Sequence, residues 1–301
     1  MMDRVSLNEN LSISRLVYGM WRLCDDNDKS YQRVIQKLET CLENDLTTID
    51  QADIYGDGGS EELFGEALSK SPNLRKRLEI ITKCNIKLQG AVFPDRKVKS
   101  YDTSAEYIIG TVENSLLKMK TDYIDLLLLH RPDPLMDHNE TGFTLDKLVD
   151  SGKVRAVGAS NFKPWDWNLL QSAMKHRLTT NQIEISVVAT DSFTNGDLAF
   201  HQKQGNPVMA WSPLGGGSLF NQNDPKSKRL LITISDIAKT LGVEMSVVAL
   251  SWLILHPARI VPIIGTNNPE RIIEACKSID LELNRELWFE IYTASIGKEV
   301  P

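Results

Sequence analysis

Four residues that could take part in acid–base catalysis stand at or just after short apolar runs: Asp50, Tyr55, Lys83 and His130. Asp50 ends TTID, and Tyr55 follows it in the glycine-rich segment DQADIYGDGGSEELFGEAL. Lys83 follows EIIT, and His130 follows YIDLLLL. A phenol has a pKa near ~10 and releases its proton poorly at neutral pH, but an adjacent ammonium favours the phenolate and lowers that pKa. If the four side chains meet, Tyr55 becomes a general acid beside Lys83, which Asp50 holds charged and aimed.

Each of these residues also has a structural interpretation when it is taken alone. A tyrosine in a turn is often a rim aromatic, and a lysine that closes a strand often reaches solvent. An aspartate or histidine at a strand end often makes only local hydrogen bonds. The catalytic interpretation therefore requires that the surrounding elements bring the four side chains to one point.

The elements are short β-rich runs that alternate with amphipathic helical patterns. The eight predicted strands cover residues 14–20, 47–50, 78–85, 123–130, 154–161, 180–186, 207–211 and 259–265. Helical patterns between them include residues 30–45, 60–70, 103–119 and 268–278. Strict alternation favours parallel strands joined by right-handed crossovers, and eight units predict a closed (β/α)8 TIM barrel, an α/β fold in a single domain over residues 1–301. An open doubly wound sheet is the alternative, but YGMWRLCDD after the first strand lacks its glycine fingerprint.

The carboxyl ends of the strands meet at the mouth of such a barrel, together with the long loops that follow them. Neighbouring second, third and fourth strands would therefore bring Asp50, Tyr55, Lys83 and His130 together. The segment AWSPLGGGSLFNQNDPKSK after the seventh strand is either a floppy surface loop or a lid whose backbone amides over residues 214–217 approach a pyrophosphate. With the helix that begins at Asn268, this segment predicts a phosphate-bearing cofactor.

Composition argues against several classes of function. The chain of 301 residues has a formal charge of −6 and scattered basic residues, so no nucleic-acid partner is expected. No apolar run approaches the ~20 residues that cross a bilayer, and MMDRVSLNENLSISRL lacks the apolar segment of a signal peptide. We therefore expect a cytoplasmic protein without membrane contact, and a monomer, since no heptad or apolar patch demands assembly. Its four cysteines are far apart and are expected to be reduced thiols.

Metal and nucleophilic chemistry have weaker support. The segment HRPDPLMDH offers His130, Asp133, Asp137 and His138 as metal ligands, but zinc sites in barrels need several histidines at different strand ends and only His130 qualifies. We expect no metal. The sequence also contains neither a G-x-S-x-G elbow nor a Cys/His pairing in a suitable context.

The motifs resemble those of the aldo-keto reductases over nearly the whole chain: DQADIYG, ITKC, DLLLLHRPD, KVRAVGASNF, NQIEIS, AWSPLGGG and PIIGTNNPERI. This resemblance implies a TIM barrel that binds NADP(H) at its mouth and reduces aldehydes or ketones as an oxidoreductase. It also implies that Asp50, Tyr55, Lys83 and His130 form the catalytic tetrad. Tyr55 would donate the proton, Lys83 and Asp50 would tune it, and His130 would orient the carbonyl.

The resemblance extends to the positions that would bind the cofactor and the substrate. Ser160, Asn161 and Gln182 resemble the residues that hydrogen-bond the nicotinamide carboxamide, and Trp211 stands where the family commonly stacks a tyrosine on the ring. Trp21 resembles a wall of the substrate pocket, beside Tyr55 and His130. The remaining cofactor-binding positions implied are Gly19, Met20, Ser212, Leu214, Gly215, Gly216, Gly217, Gly265, Thr266, Asn267, Arg271 and Glu274, with Leu214 to Gly217 at the pyrophosphate and Arg271 at the adenosine 2′-phosphate.

One departure from the family bears on the choice of cofactor. Many members carry Lys-Ser where this chain has Gly265-Thr266, so one cation expected at the 2′-phosphate is missing. Such a contact contributes ~1 to 3 kcal/mol, which is roughly ten- to hundredfold in preference. Arg271 and the hydroxyl of Thr266 still favour NADPH, and NADH is less expected.

Trp21 and Phe93 predict a pocket for aromatic or aliphatic carbonyls rather than small polar sugars. The alternative function is a cofactor-binding regulatory subunit of a membrane channel, a redox sensor, which the absence of an extended N-terminal arm disfavours.

Overall fold

A computed structural model describes residues 2–90 and 94–301. Within these residues the chain forms twelve strands: β1 (Arg4–Ser6), β2 (Ser12–Ser14), β3 (Val17–Gly19), β4 (Thr48–Asp50), β5 (Glu79–Cys84), β6 (Ile86–Lys87), β7 (Ser100–Tyr101), β8 (Ile124–Leu129), β9 (Val154–Ser160), β10 (Leu178–Glu184), β11 (Val208–Trp211) and β12 (Ile260–Ile264). The α-helices in the same ranges are α1 (Tyr31–Glu43), α2 (Ser60–Lys70), α3 (Ala105–Met119), α4 (His138–Asp150), α5 (Pro164–Gln171), α6 (Asp197–Gln204), α7 (Pro225–Leu241), α8 (Met245–Ile254), α9 (Pro269–Cys276) and α10 (Arg285–Ile296). Short 3₁₀ helices cover Leu23–Asp25, Tyr55–Gly58, Arg75–Arg77, Asp191–Phe193, Gly215–Phe220 and Lys277–Ile279.

Eight of the strands form a closed parallel barrel in the order β3, β4, β5, β8, β9, β10, β11, β12. The ring closes where β12 pairs with β3, with Ile263 opposite Val17 and Ile264 opposite Tyr18. At least one α-helix follows each barrel strand, as parallel pairing requires. The predicted (β/α)8 TIM barrel in a single domain is confirmed, and the closure excludes the open doubly wound sheet.

An antiparallel hairpin that the sequence analysis did not predict covers the amino-terminal end of the barrel. Strands β1 and β2 pair with Val5 opposite Ile13, so Ser14, the start of the first predicted strand, belongs to β2. Ser14 N donates to Thr48 Oγ1 (2.9 Å) and Thr48 N donates to Ser14 Oγ (3.1 Å) at the first residue of β4. Val5 and Ile13 are buried against residues of the barrel interior. The opposite end, where the strands finish, is the mouth.

Every second side chain along a barrel strand points inward, from the apolar interior to the mouth. Ile81 on β5 and Leu128 on β8 are fully buried in the interior cluster. Because successive side chains alternate between the two faces of a strand, Lys83 and His130, two residues further on, also face inward. The chemistry-bearing residues are therefore the next layer above a packed core.

Helices α7 and α8 come nearest to the properties of a membrane span. Together they have the length and apolar composition, but they are bent by 96° at a short break. Helix α8 is buried in the protein over residues 247–253. No single helix in residues 2–90 and 94–301 is long and apolar enough to cross a bilayer.

A close approach of α2 to α3 makes one glycine structurally necessary. A Cβ at Gly65 would overlap the Lys118 carbonyl oxygen and lie 2.8 Å from Met119 Cα, which is backbone and cannot yield. We expect Gly65→Ala to lower the free energy of unfolding by about 1–3 kcal/mol, as overpacking does. Gly110→Ala on the exposed face of α3 has open space and should change it by less than about 1 kcal/mol, in the stabilising direction. Urea unfolding of both variants measures the difference, and equal midpoints would contradict the close contact.

Candidate active site

A fully buried lysine lies at the centre of the mouth. The Lys83 ammonium donates hydrogen bonds to Asp50 Oδ2 (2.8 Å), the Gln51 carbonyl oxygen (2.7 Å) and the Tyr55 hydroxyl (2.9 Å). Its three protons are thus all used. Lys83 therefore ties β5 to the end of β4 and to the turn that follows it.

The turn that carries Tyr55 depends on its glycines. Tyr55–Gly58 form a 3₁₀ turn in which Gly56 and Asp57 have φ of 58° and 54°. A Cβ at Gly56 would clash with the thiol of Cys24, so glycine is required there for space as well as for backbone conformation. Helix α2 then starts at Ser60, whose hydroxyl donates to Met20 O (3.2 Å) and fixes the turn against the loop after β3.

His130 is held at the mouth by backbone contacts on both sides. Its N–H donates to Cys84 O (2.9 Å). Asn85, in the left-handed region with φ of 88°, donates through Nδ2 to Arg131 O (2.8 Å) and accepts through Oδ1 from Arg131 N (3.1 Å). The Tyr55 and His130 rings are nearly perpendicular with centroids 6.1 Å apart. The predicted convergence of Asp50, Tyr55, Lys83 and His130 is present in the fold.

The electrostatics of Tyr55 differ from the sequence-based expectation. Burial of its hydroxyl, helped by the carboxylates of Asp50 and Asp53, raises the pKa of Tyr55 well above its usual range. The prediction that the lysine lowers this pKa is wrong, because the cost of burying a phenolate exceeds the attraction of the ammonium. Burial also lowers the pKa of Lys83, while Asp50 opposes that shift. Tyr55 is therefore a protonated phenol at neutral pH, which is the form that can donate a proton.

His130 is neutral for a similar reason. Burial lowers its pKa well below the usual range, and the charges of Lys83 and Arg131 add to this effect. Its Nδ1 is buried and has no hydrogen-bond partner among the described residues. A neutral imidazole can donate one hydrogen bond to an oxygen without competing for the proton of Tyr55.

A hydrogen-bond network fixes the other side of the mouth. Asn161, with φ of 61°, donates through Nδ2 to Ser160 Oγ (2.8 Å) and to His130 O (3.2 Å). Its Oδ1 accepts from the Trp211 indole N–H (3.0 Å). The ring of Trp211 is therefore held in place by the same residue that braces His130.

Gln182 extends the network to Asp50. Its side-chain Nε2 donates to Asp50 Oδ1 (2.8 Å), and its backbone carbonyl oxygen accepts from Ser160 Oγ (2.8 Å). One N–H of the Gln182 amide, which was expected to hydrogen-bond a carboxamide, is thus engaged by the Asp50 carboxylate. The second N–H of this amide and Gln182 Oε1 are left for a ligand, and Asp50 has hydrogen-bond donors on both oxygens.

The glycine-rich segment after β11 is a compact turn. Gly215, Gly216 and Gly217 have φ of 63°, 64° and 103°, values that favour glycine. A Cβ on Gly215 would clash with Val188, whereas Gly217 faces open space. Arg22 Nη2 donates to Gly216 O (3.0 Å) from the loop after β3. The turn therefore presents backbone without side chains beside Ser212, whose φ is 49° and whose carbonyl oxygen accepts from Gly215 N (2.7 Å).

A cavity of about 660 Å³ lies beyond this turn, at the start of α9. It is lined by Arg33, Gln36, Thr266, Asn267, Asn268, Pro269, Glu270 and Arg271. Arg271 is exposed, and Thr266 Oγ1 accepts from Asn268 N (3.1 Å). Arg33, which the sequence analysis missed, comes from α1 and donates to Asn267 O (2.8 Å). The sequence carries no sign of this contact, because it depends on how α1 packs against the loop before α9.

Several predicted positions serve the fold in other ways. Met20 is buried in the core, and its sulfur accepts from Gln51 Nε2 (2.9 Å). Gly19 is needed by β12, since a Cβ there would lie 2.7 Å from Ile263 Cγ2. Glu274 accepts from Lys277 Nζ (2.6 Å), just beyond the end of α9, and does not line the cavity.

The remaining positions lie at the rim. Asn267 connects to α1 and to the loop after β3, since its Oδ1 accepts from Lys37 Nζ (2.9 Å) and its Nδ2 donates to Arg22 O (2.6 Å). Leu214 packs partly buried against the core, and Gly265 is exposed. Trp21 is 59% exposed, so it lies at the edge of the mouth. Phe93, its predicted partner in the pocket, falls outside the described residues.

The alternative metal ligands are not assembled. Asp133 accepts from Thr103 Oγ1 (3.0 Å), and Asp137 caps α4 by accepting from Asn139 N (2.9 Å). Within residues 2–90 and 94–301, no group of three or more His, Cys, Asp or Glu side chains is arranged to hold a metal ion. These carboxylates organise the backbone after His130 instead.

Comparisons with known proteins agree with this geometry. The Aldo/keto reductase family model matches residues 15–295. The 6-dehydroglucose reductase of Agrobacterium fabrum is 52% identical over 99% of this chain and 100% of its own length. A 6-dehydroglucose reductase of Novosphingobium aromaticivorans is 37% identical over 98% of this chain and 95% of its own. The crystal structure of an aldo-keto reductase from Klebsiella pneumoniae in complex with NADPH superposes with a TM-score of 0.80 at 25% identity, covering 97% of this chain and 94% of that one. The chain therefore belongs to the aldo/keto reductase family of oxidoreductases.

Proposed function

We propose that this protein reduces an aldehyde or ketone to an alcohol with NADPH, and that Tyr55 is the general acid. The observation that carries the proposal is the 2.9 Å hydrogen bond from Lys83 Nζ to the Tyr55 hydroxyl. Because the lysine donates to the phenol oxygen, the phenol's own proton is directed away from Lys83. His130 lies on the neighbouring side of the mouth, so a carbonyl oxygen can meet both donors.

The proposed steps use the residues in distinct roles. The neutral imidazole of His130 orients the carbonyl by a hydrogen bond to its oxygen. When bound, NADPH supplies the hydride that reduces the carbonyl carbon. Tyr55 transfers its proton to the oxygen as the C=O bond becomes C–O–H, and the phenolate that remains is stabilised by Lys83 until solvent returns a proton. Asp50 keeps Lys83 in position through the 2.8 Å ion pair.

The residues at the mouth fit a nicotinamide cofactor. Trp211 offers an aromatic face fixed by Asn161, and the turn at Gly215–Phe220 offers backbone that phosphates can approach. Arg33 and Arg271 place guanidinium groups at the cavity beside α9. We propose that these two arginines supply the positive charge for the 2′-phosphate that Gly265-Thr266 does not, so that NADPH is preferred to NADH.

The substrate is proposed from the relatives. Two of them, at 52% and 37% identity, are named 6-dehydroglucose reductase. We propose that this chain reduces a sugar aldehyde of that kind. The prediction from Trp21, a preference for aromatic or aliphatic carbonyls, is the competing outcome.

The proposal is tested with the full chain and NADPH, following cofactor oxidation with 6-dehydroglucose and with 4-nitrobenzaldehyde. We expect turnover of both, with the larger kcat/KM for the sugar. In parallel, quenching of tryptophan fluorescence by NADPH reports binding at Trp211. Tight NADPH binding without turnover of any carbonyl would contradict the reductase and favour the redox-sensor alternative.

Cofactor preference should change when Arg271 is replaced. Arg271→Leu is expected to raise the Kd for NADPH by about ten- to hundredfold, because a charge-assisted contact to phosphate is lost, while the Kd for NADH changes little. Arg285→Leu on α10 is a matched control, since Arg285 is also exposed and lies outside the mouth. Fluorescence titration with both cofactors measures the effect. Equal weakening of NADPH and NADH would show that Arg271 does not distinguish the 2′-phosphate.

A further inference from the structure

An arginine whose guanidinium makes no hydrogen bond or ion pair among the described residues stands directly beside the reacting groups. Arg131 follows His130 and is half-buried, and its backbone is clamped by Asn85. Its guanidinium carbon lies 6.0 Å from the centroid of the Trp211 ring. In the described residues no hydrogen bond or ion pair engages its guanidinium, although Asn85 fixes both of its backbone groups.

Other partly buried arginines of the chain are satisfied. Arg75 pairs with Asp125 (2.9 Å), and Arg33 pairs with Asp26 (3.3 Å). Contact with the Trp211 ring offsets part of the hydration that Arg131 loses, but it leaves the N–H donors of the guanidinium without an acceptor among the described residues. Because this cost falls at the one place where a substrate must enter, the unused donors of Arg131 point to a group on the ligand.

A carboxylate faces the same space. Glu184 ends β10 directly opposite Trp211 in the strand register, two residues beyond Gln182 and therefore on the inner face. No hydrogen bond or ion pair to its carboxylate is present among the described side chains. Partial burial raises the pKa of Glu184, and the nearby charge of Arg131 opposes that shift. Arg131 and Glu184 thus interact electrostatically, but they do not form a salt bridge within 4 Å.

Charge and donor type decide between three classes of substrate. A hydrophobic carbonyl compound would cover Arg131 without satisfying it. An anionic substrate would be attracted by Arg131 but repelled by Glu184. A neutral chain of hydroxyl groups can accept from the guanidinium, donate to the carboxylate and rest its C–H face on Trp211.

We propose that Arg131, assisted by Glu184, is the specificity-determining residue that hydrogen-bonds the hydroxyl groups of a neutral polyhydroxy aldehyde whose carbonyl lies between Tyr55 and His130. This assignment deepens the proposed reductase function and rests on it. Arg131 would contact the substrate at carbons beyond the reacting one, so its contribution should appear in binding rather than in the chemical step.

The test uses the full-length protein with NADP⁺ and D-glucose as a binding probe in calorimetry, together with kcat/KM for 6-dehydroglucose and 4-nitrobenzaldehyde. Arg131→Leu keeps the bulk of the side chain and removes its donors. We expect the Kd for D-glucose to rise by about ten- to hundredfold, as for the loss of a hydrogen bond to a charged group. The ratio of the two kcat/KM values should fall by a similar factor, through KM for the sugar.

Two further variants sharpen the result. Arg285→Leu is the matched control, because that guanidinium also lies near an aromatic ring, 5.6 Å from Phe289, but outside the mouth, and it should bind D-glucose as the wild type does. Glu184→Gln should improve the binding of D-glucuronate relative to D-glucose, because it removes the charge that repels an anion.

Three outcomes would overturn the assignment: unchanged D-glucose binding in Arg131→Leu, absence of D-glucose binding to the wild type, or tighter wild-type binding of D-glucuronate than of D-glucose. An equal fall in kcat/KM for both aldehydes would instead assign Arg131 to the support of His130 and also overturn it. Failure of the reductase function is distinguishable, because a wild type that binds D-glucose but reduces no aldehyde leaves the binding comparison intact.

Discussion

Tyr55→Phe is expected to lower kcat for aldehyde reduction by about 10²- to 10⁴-fold, the range that a positioned general acid contributes. The substitution removes the proton donor and leaves the ring that packs edge-on to His130 at 6.1 Å. Cofactor affinity should stay within about twofold, since the phenol oxygen already accepts from Lys83 and is proposed to meet the substrate carbonyl rather than the cofactor. Single-turnover reduction with saturating NADPH measures the chemical step directly.

Tyr107→Phe is the matched control for this experiment. Tyr107 also has a lysine near its ring, with Lys87 Nζ 5.0 Å from the centroid, and its hydroxyl is also hydrogen-bonded, donating to Ile86 O (3.2 Å). It lies on α3, outside the group of residues around Lys83. If Tyr55→Phe kept more than about a tenth of wild-type turnover, or if Tyr107→Phe lost as much, Tyr55 would not be the acid.

The barrel and the four central residues could be predicted because the signals are local. Strand runs separated by helical patterns determine the parallel crossover topology, and a polar residue that ends an apolar run must lie at a strand end. Lys83 after EIIT and His130 after YIDLLLL are of this kind, and both are at the mouth. The roles of these residues in catalysis stay predictions until they are tested.

The amino-terminal hairpin was not predicted, although its alternation can be recognised once the two strands are known. RVSLNENLSIS alternates apolar and polar residues on both sides of an asparagine-rich turn, which is typical of two short strands. Val5 and Ile13 on these strands are buried only because the barrel interior covers them. Three-residue strands have too few positions for the alternation to stand out from loop sequence.

The sequence does not predict which charged side chains form ion pairs or how deeply the site residues are buried. Arg131 and Glu184 are ordinary charged residues in the one-dimensional chain. That neither forms a hydrogen bond through its charged group, or an ion pair, within residues 2–90 and 94–301 is a property of the tertiary structure. The sign of the Tyr55 pKa shift was wrong for the same reason, because the expectation counted the nearby ammonium and not the loss of water around the phenol. Contacts between residues can be inferred from topology more readily than their solvation.

The buried ion pair should be as important to stability as to catalysis. Lys83→Met is expected to lower the free energy of unfolding by about 3–5 kcal/mol, because it leaves the Asp50 carboxylate buried without its cation. Carbonyl reduction should also fall at least as far as in Tyr55→Phe, since the phenol loses its only described hydrogen-bond donor. Urea unfolding and single-turnover assays measure the two effects separately.

A second substitution distinguishes the effect of an unpaired Asp50 carboxylate on stability from the effect of losing Lys83 on catalysis. In Lys83→Met combined with Asp50→Asn, no buried charge is left unpaired, so much of the stability should return, whereas Tyr55 still lacks Lys83 and reduction should stay low. Lys175→Met, which breaks the exposed pair with Asp150, is the control and should cost less than about 1 kcal/mol. If Lys83→Met unfolded no more easily than Lys175→Met, the pair would not hold the mouth together. If the double variant regained activity with stability, Lys83 would act only by neutralising Asp50, and its bond to Tyr55 would have no part in proton transfer.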